Sequence, residues 1–273
     1  MHELSSLPRW TVLPALAATV LLACAVGAGA QAGTEPVVDR LPDLQQEPPT
    51  RIIALATGPR THRRYVIVFG STTDNDGEGP LIVVGRRRTR AVNRMTAEQE
   101  IRRSDGSTRT VPAVGRLQFV VNSDHRHWHF LGYDRYELRT EPGFARVVRD
   151  RKTGFCIGDR GRAGFVAPSA PPAPVYTDFC GRNKPGLLTL REGMSPGYFD
   201  YYGPVIEGQF LDVTRLHAGR YYLVHRVNAT RSFVESDYSN NASLVLLSLA
   251  WPGGHSQRPR VRVLRRCPAQ NPC

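Results

Sequence analysis

The sequence predicts an all-β protein, a β-sandwich with long irregular loops and little helix. Three observations carry this expectation. Short runs of β-branched and aromatic residues recur along the chain, turn residues separate them, and no stretch keeps a helical period beyond about three turns. Many short strands joined by Gly and Pro turns are the pattern of packed sheets. With 41% hydrophobic and 22% charged residues among 273, the chain has the balance of a folded globular protein.

Taken in order, the N-terminus reads as an export leader. Arg9 precedes an apolar stretch over residues 11–26 and the small-residue site Ala28, Gly29, Ala30. A signal peptide over 1–30 is expected. "LLAC" also reads as a lipoprotein processing box, in which residues 1–23 are removed and Cys24 becomes a lipidated N-terminus. The apolar run is barely long enough to span a bilayer, so membrane attachment is expected only through lipid at Cys24. The location expected is secreted or extracytoplasmic, with lipid anchoring to the cell envelope as the second form. Residues 31–50 are Pro-rich and polar, a linker followed by an extended lead-in to a main β domain over 51–273.

Beyond that point strand signals dominate. "RRYVIVFG", "PLIVVG", "LQFVVN", "HRHWHFLGY", "YELR", "FARVVRD", "GQFLDV", "GRYYLVHRV" and "SLVLLSLAW" each read as a strand. "QEIRRSDGSTRTVP" reads as a hairpin turning at Asp105 and Gly106. Residues 159–197 read as a long irregular insertion, and loops of that length in compact domains are usually functional or mobile.

Cys24 lies in the leader, leaving Cys156, Cys180, Cys267 and Cys273, an even number suited to an oxidising compartment. Three pairings are open. Cys156 with Cys180 and Cys267 with Cys273 are favoured, because the second pair closes a short loop in a tail prone to fraying. The formal charge is +12, and Lys152 and Lys184 are the only lysines. Such a field attracts anionic cell-envelope polymers without sequence specificity. The run "GRRRTRAVNR" reads as a solvated loop. No stacking platform or groove-reading helix accompanies it, so nucleic acid is not an expected partner.

The most informative stretch is "NSDHRHWHFLGYDRYELR". His125, His127 and His129 occupy alternate positions of a strand, so all three imidazoles face one way, about 6.5–7 Å apart at the backbone. Neutral imidazoles suit copper, zinc, iron or nickel. Three protein ligands leave coordination positions open, as a catalytic site requires. Phe119, Phe130 and Leu131 supply a dry surround.

Downstream, "RKTGFCIGD" presents Lys152, and "GMSPGYFDYYGPV" presents Asp200, Tyr201 and Tyr202. With the histidine triplet, this order resembles the lysyl oxidase family. The segment "LDVTRLHAGRYYLVHRVNATRSFVESDYSNNASLVLL" resembles that family's last strands still more closely. The resemblance runs from about Pro42 to about Leu247. It implies a copper-dependent amine oxidase whose cofactor, lysine tyrosylquinone, is cross-linked from two of its own side chains. On the family's pattern the lysine is Lys152, ahead of Phe155 and Cys156, and the tyrosine is Tyr202 rather than Tyr201. The products expected from a primary-amine substrate and O2 are an aldehyde, ammonia and hydrogen peroxide. Asp200 is the nearest candidate for the base that removes the α-proton.

"ESDYSNN" gathers Glu235, Asp237, Asn240 and Asn241, oxygen donors that suit calcium as well as they suit a capped polar turn. The resemblance favours calcium, because relatives coordinate it with an N-terminal Asp-Leu. Here that is Asp43 and Leu44, the latter through its carbonyl, and the role is structural. The chain also departs from the family's pattern. Tyr198 and Gly208 stand where animal relatives carry a disulfide across the tyrosine loop, and Asp124 stands where they carry a cysteine ahead of the histidines. The departures leave Cys156 and Cys180 to pair with each other. They also leave the substrate open, with small or envelope-linked amines favoured over basic proteins. Against the oxidase stands a non-catalytic metal-binding β-sandwich of the cell envelope. A zinc hydrolase is disfavoured, because Asp124 alternates to the strand face opposite the histidines.

Overall fold

The computed structural model describes residues 35–122, 126–165, 167–206, 208–267 and 272–273. The leader, Cys24 and His125 lie outside the described residues. Val37–Cys273 form one compact unit; of Met1–Pro36 only residues 35 and 36 are described, both exposed.

The lead-in carries β1 (Asp39–Arg40) and β2 (Leu44–Gln46), and is followed by β3 (Thr50–Thr57), so the linker reading stops short of residue 39. A 3-10 turn at Arg60–His62 leads to β4 (Arg64–Asn75), then β5 (Leu81–Arg86). β6 (Arg94–Arg103) and β7 (Thr108–Val121) form the expected hairpin, with Gly106 at φ 84° in its turn. A side chain there would be strained, which is why the turn needs glycine.

Next come β8 (Arg126–Leu131), β9 (Asp134–Glu141), β10 (Arg146–Arg149) and β11 (Gly154–Phe155). The segment read as an irregular insertion is a correction. It carries β12 (Gly161–Arg162) and β13 (Thr189–Met194). In β13 alternation buries Leu190, Glu192 and Met194. A charged Glu at a core-facing position broke the apolar pattern, and that hid the strand. The Pro-rich remainder is pinned by Asp159, whose carboxylate accepts from the Val175, Tyr176 and Ser195 backbone N–H groups and the Ser195 hydroxyl at 2.7–3.2 Å. β14 (Tyr198–Tyr202), β15 (Phe210–Asp212), β16 (Gly219–Val227), β17 (Ala242–Ala250) and β18 (Arg260–Cys267) complete the chain.

Three antiparallel sheets result. One runs β11-β8-β7-β6-β5-β13 with β1 against β6, one runs β10-β9-β16-β17-β18, and one runs β12-β14-β4-β15 with β2 and β3 against β4. Their inner faces share one core, where Phe69, Trp128, Phe130, Tyr136, Phe155 and Phe233 are fully buried. Edge contacts such as Phe69 with Tyr136 at 5.0 Å lock it, each buried ring contributing roughly 1.5–3 kcal/mol from area alone. Both expected disulfides are present: Cys156–Cys180 ties β11's exit to the Pro-rich segment, and Cys267–Cys273 closes the tail. The Arg-rich run between β5 and β6 is largely solvated, except that Arg87 stacks over Trp128 at 4.7 Å and donates to the Leu187 carbonyl.

Candidate active site

β8 is held between β7 and β11, with His127 opposite Val120 and His129 opposite Gln118. Alternation sends Trp128 into the core and His127 and His129 to the other face. Their Nε2 atoms lie 2.7 Å apart. Two nitrogens on one first-row metal at about 2.0–2.1 Å sit about 3 Å from each other, so the pair converges as metal ligands do. This donor set fits copper, with His125 the third imidazole outside the described residues. Among the described residues no group of three or more His, Cys, Asp or Glu is arranged to hold a metal ion by itself. Gly154 on β11 faces His129, and a Cβ there would lie 2.7 Å from the histidine Cβ. That glycine lets β11 close onto the imidazole.

Two residues before β11, Lys152 is buried, and its Nζ lies 5.1 Å from the centroid of the Tyr202 ring and 4.8 Å from that of Phe155. Phe155 stands perpendicular to Tyr202 at 5.3 Å. The Tyr202 hydroxyl donates to the Cys156 carbonyl at 2.8 Å. Burial, then the charge of Asp200, hold that hydroxyl well above its ordinary pKa, so it stays a protonated donor. Tyr201 points the other way, toward Gly70 on β4. Strand alternation thus selects the tyrosine that meets the lysine. Gly208, at φ 76°, brings its backbone against Lys152 and allows no side chain without strain.

A pocket of about 340 Å³ opens here, lined by Val120, His129, Arg151, Lys152, Gly154 and Phe210 among others. Beneath Tyr202, Asp200 is buried with Arg160 Nε 3.6 Å from its Oδ1. Burial pushes its carboxyl up to about 7, with Arg160 opposing. Glu192 lies fully buried nearby, and neither of its oxygens has a hydrogen-bond partner among the described residues. Burial, then the Asp200 charge, drive its pKa well above the carboxylate range. Arg160 also donates to the Cys156 carbonyl at 3.3 Å, linking the carboxylate to the atom that holds Tyr202.

At a separate place, β2 crosses the 235–241 loop. The Asn240 side-chain amide donates to Asp43 at 2.8 Å, and Glu235 accepts from Asn228, Asn241 and the Leu44 N–H at 2.5–3.0 Å. Leu44 therefore meets Glu235 through its N–H, and its side chain belongs to the core. The exposed Asp237 accepts from the N–H and hydroxyl of Ser239, and its charge also acts on Asp43. The Oδ1 atoms of Asn240, Asn241 and Asp76 are buried without a hydrogen-bond partner among the described residues. Burial raises the Asp43 and Asp76 carboxyls. Unsatisfied oxygens beside crowded carboxylates fit a hard cation such as calcium.

Sequence reasoning missed Gly154, Arg160, Glu192 and Asp76, and read Gly208 only as a departure from the family's cysteine pattern. Only Glu192 carried a local signal, a charge on an alternate apolar position; the others acquire roles through partners distant in the chain.

The family model described as "Lysyl oxidase" matches residues 86–250. The chain is 26% identical over 155 residues to "Protein-lysine 6-oxidase" of Homo sapiens, covering 56% of this chain and 33% of that protein. It is equally identical over 155 residues to the protein of that name from Sus scrofa, covering 56% and 55%. With "Lysyl oxidase homolog 4" of Mus musculus it shares 29% over 131 residues, 48% of this chain and 15% of the relative. The chain thus spans between 15% and 55% of the length of these curated relatives, and about a third of the human one. With the model match covering more than half of its residues, the chain belongs to the lysyl oxidase family.

Proposed function

We propose that this protein is a copper-dependent amine oxidase that uses lysine tyrosylquinone, cross-linked from Lys152 and Tyr202. It oxidises a primary amine with O2 and water to an aldehyde, ammonia and hydrogen peroxide. The observation that carries the reading is the Lys152 amine lying 5.1 Å from the centre of the Tyr202 ring, with Lys152 and His129 lining one pocket.

His127 and His129, with His125, would hold the copper. When formed, the quinone supplies the electron sink that amine oxidation needs. Asp200 accepts the substrate α-proton; with its pKa near 7 it is poised as a base around neutral pH. Arg160 keeps that carboxylate oriented. The Cys156 carbonyl and the perpendicular Phe155 ring fix the orientation of Tyr202. Two disulfides support action in an oxidising compartment outside the cytoplasm. Calcium at Asp43, Asp76, Asn240 and Asn241 would pin the lead-in to the last hairpin.

Peptide mass spectrometry of copper-loaded protein tests the reading. A cross-linked peptide containing Lys152 and Tyr202, absent from Tyr202→Phe, is expected together with peroxide release from a simple amine. If both peptides stay separate after copper loading in air, the catalytic reading falls and a metal-binding β-sandwich remains.

A further inference from the structure

Arg151 lines two cavities at once. One is the amine pocket; the other is a basin of about 660 Å³ bordered by the 3-10 turn, β10 and the end of β15. Arg63, Arg64, Arg151 and Arg215 line that basin, all of them exposed. Asp212 is the single carboxylate among its described lining residues, and it is already engaged. Its Oδ1 accepts from the Thr214 hydroxyl at 2.6 Å and its Oδ2 lies 4.0 Å from Arg64. Four arginines therefore line a basin whose one described carboxylate is already engaged. Such groups favour carboxylates through forked hydrogen bonds and repel cations.

Two chain segments run from the basin into the amine pocket. In β15, Phe210 borders the pocket and Asp212 the basin; along β10 and beyond its end, Val148 borders the basin and Lys152 the pocket. The basin is not purely charged, since Val147, Val148 and Leu216 give it an apolar side. β10 is also an edge strand, paired only with β9 in its sheet. An edge strand offers backbone donors and acceptors to an extended peptide.

We propose that the basin docks an acidic peptide segment, so that the preferred substrate is a lysine side chain flanked by Asp or Glu. The inference rests on the amine-oxidase reading for its chemistry but not for its binding. Backbone pairing and the apolar side favour a peptide over a bare polyanion. The four residues from Val148 to Lys152 span about 13 Å if extended, which sets the carboxylates about three to five residues from the reacting lysine.

The test uses short peptides with one lysine and either Asp/Glu or Asn/Gln at those distances. Binding to copper-free full-length protein is followed by fluorescence anisotropy, and turnover of the copper-loaded protein by peroxide release. The acidic peptide should bind about tenfold tighter at low salt, with the advantage shrinking as salt is added. The triple variant Arg63→Gln, Arg64→Gln, Arg215→Gln should erase that advantage, while Arg116→Gln on another surface keeps it. Equal binding of the acidic and amide peptides overturns the inference. So does polyphosphate of matched charge that binds as tightly as the acidic peptide through the same arginines. If acidic peptides bind but no amine is oxidised, the oxidase reading fails alone. If a simple amine is oxidised and acidic peptides gain nothing, the docking inference fails alone.

Discussion

The backbone of Gly154 presses directly on His129: a Cβ built there would lie 2.7 Å from the histidine Cβ and 2.9 Å from its Nδ1. The candidate metal-ligating histidine is therefore set from behind by a neighbouring strand two residues from the candidate cofactor lysine.

Gly154→Ala should push His129 off its present line. Copper affinity is expected to fall roughly tenfold to a hundredfold, as for lost support of a ligand. Stability should fall by about 1–3 kcal/mol from overpacking. Competition titration with a chelator reads the first effect and denaturant unfolding the second. Unchanged copper affinity in a folded variant would show that the close approach does not orient the imidazole.

Asp200 bears on the pH profile. Burial raises its carboxyl to about 7, and a base acts only when deprotonated, so kcat/KM on a simple amine should rise with pH through about 7. Asp200→Asn should lower the rate by about 10²–10⁴-fold and remove that limb. A variant that keeps the limb would sink the assignment.

Glu192 makes a prediction about stability. Its folded pKa is raised above its unfolded value, so the folded state holds its proton more tightly. That favours folding at pH below the ordinary carboxylate range, and the benefit is lost as pH rises from there toward the folded pKa. Glu192→Gln removes the titration. The variant should gain stability over the parent at pH 8 and differ little at pH 4, as measured by thermal unfolding. Parallel pH profiles for the two proteins would contradict this.

Calcium should raise the melting temperature. At a hundredfold excess over Kd the gain is about 2.7 kcal/mol, or roughly 5–10 °C for a domain of this size. Asp43→Ala with Asn240→Ala should abolish the response. A response that survives in this double variant would place the ion elsewhere.

Much of this was readable from local pattern. Alternation alone put His127 and His129 on one face, because strand side chains repeat every two residues. The same rule separated Tyr202 from Tyr201, although only the resemblance said which of them mattered. It failed at β13, where buried Glu192 interrupts the apolar positions. It was silent on Arg160 and Gly154, whose neighbours are set by pairing across the fold.

By itself, the sequence determined the all-β class and the hairpin at Gly106, since both are written in short-range spacing, and its resemblance over several segments pointed to the family. Tertiary structure alone decided three things: that the Lys152 amine lies over the Tyr202 ring, that Gly154 backs His129, and that exposed arginines from three separate segments line a basin beside the pocket at Lys152. These are encounters between residues tens of positions apart, and strand order and sheet register, which no local period encodes, bring them together.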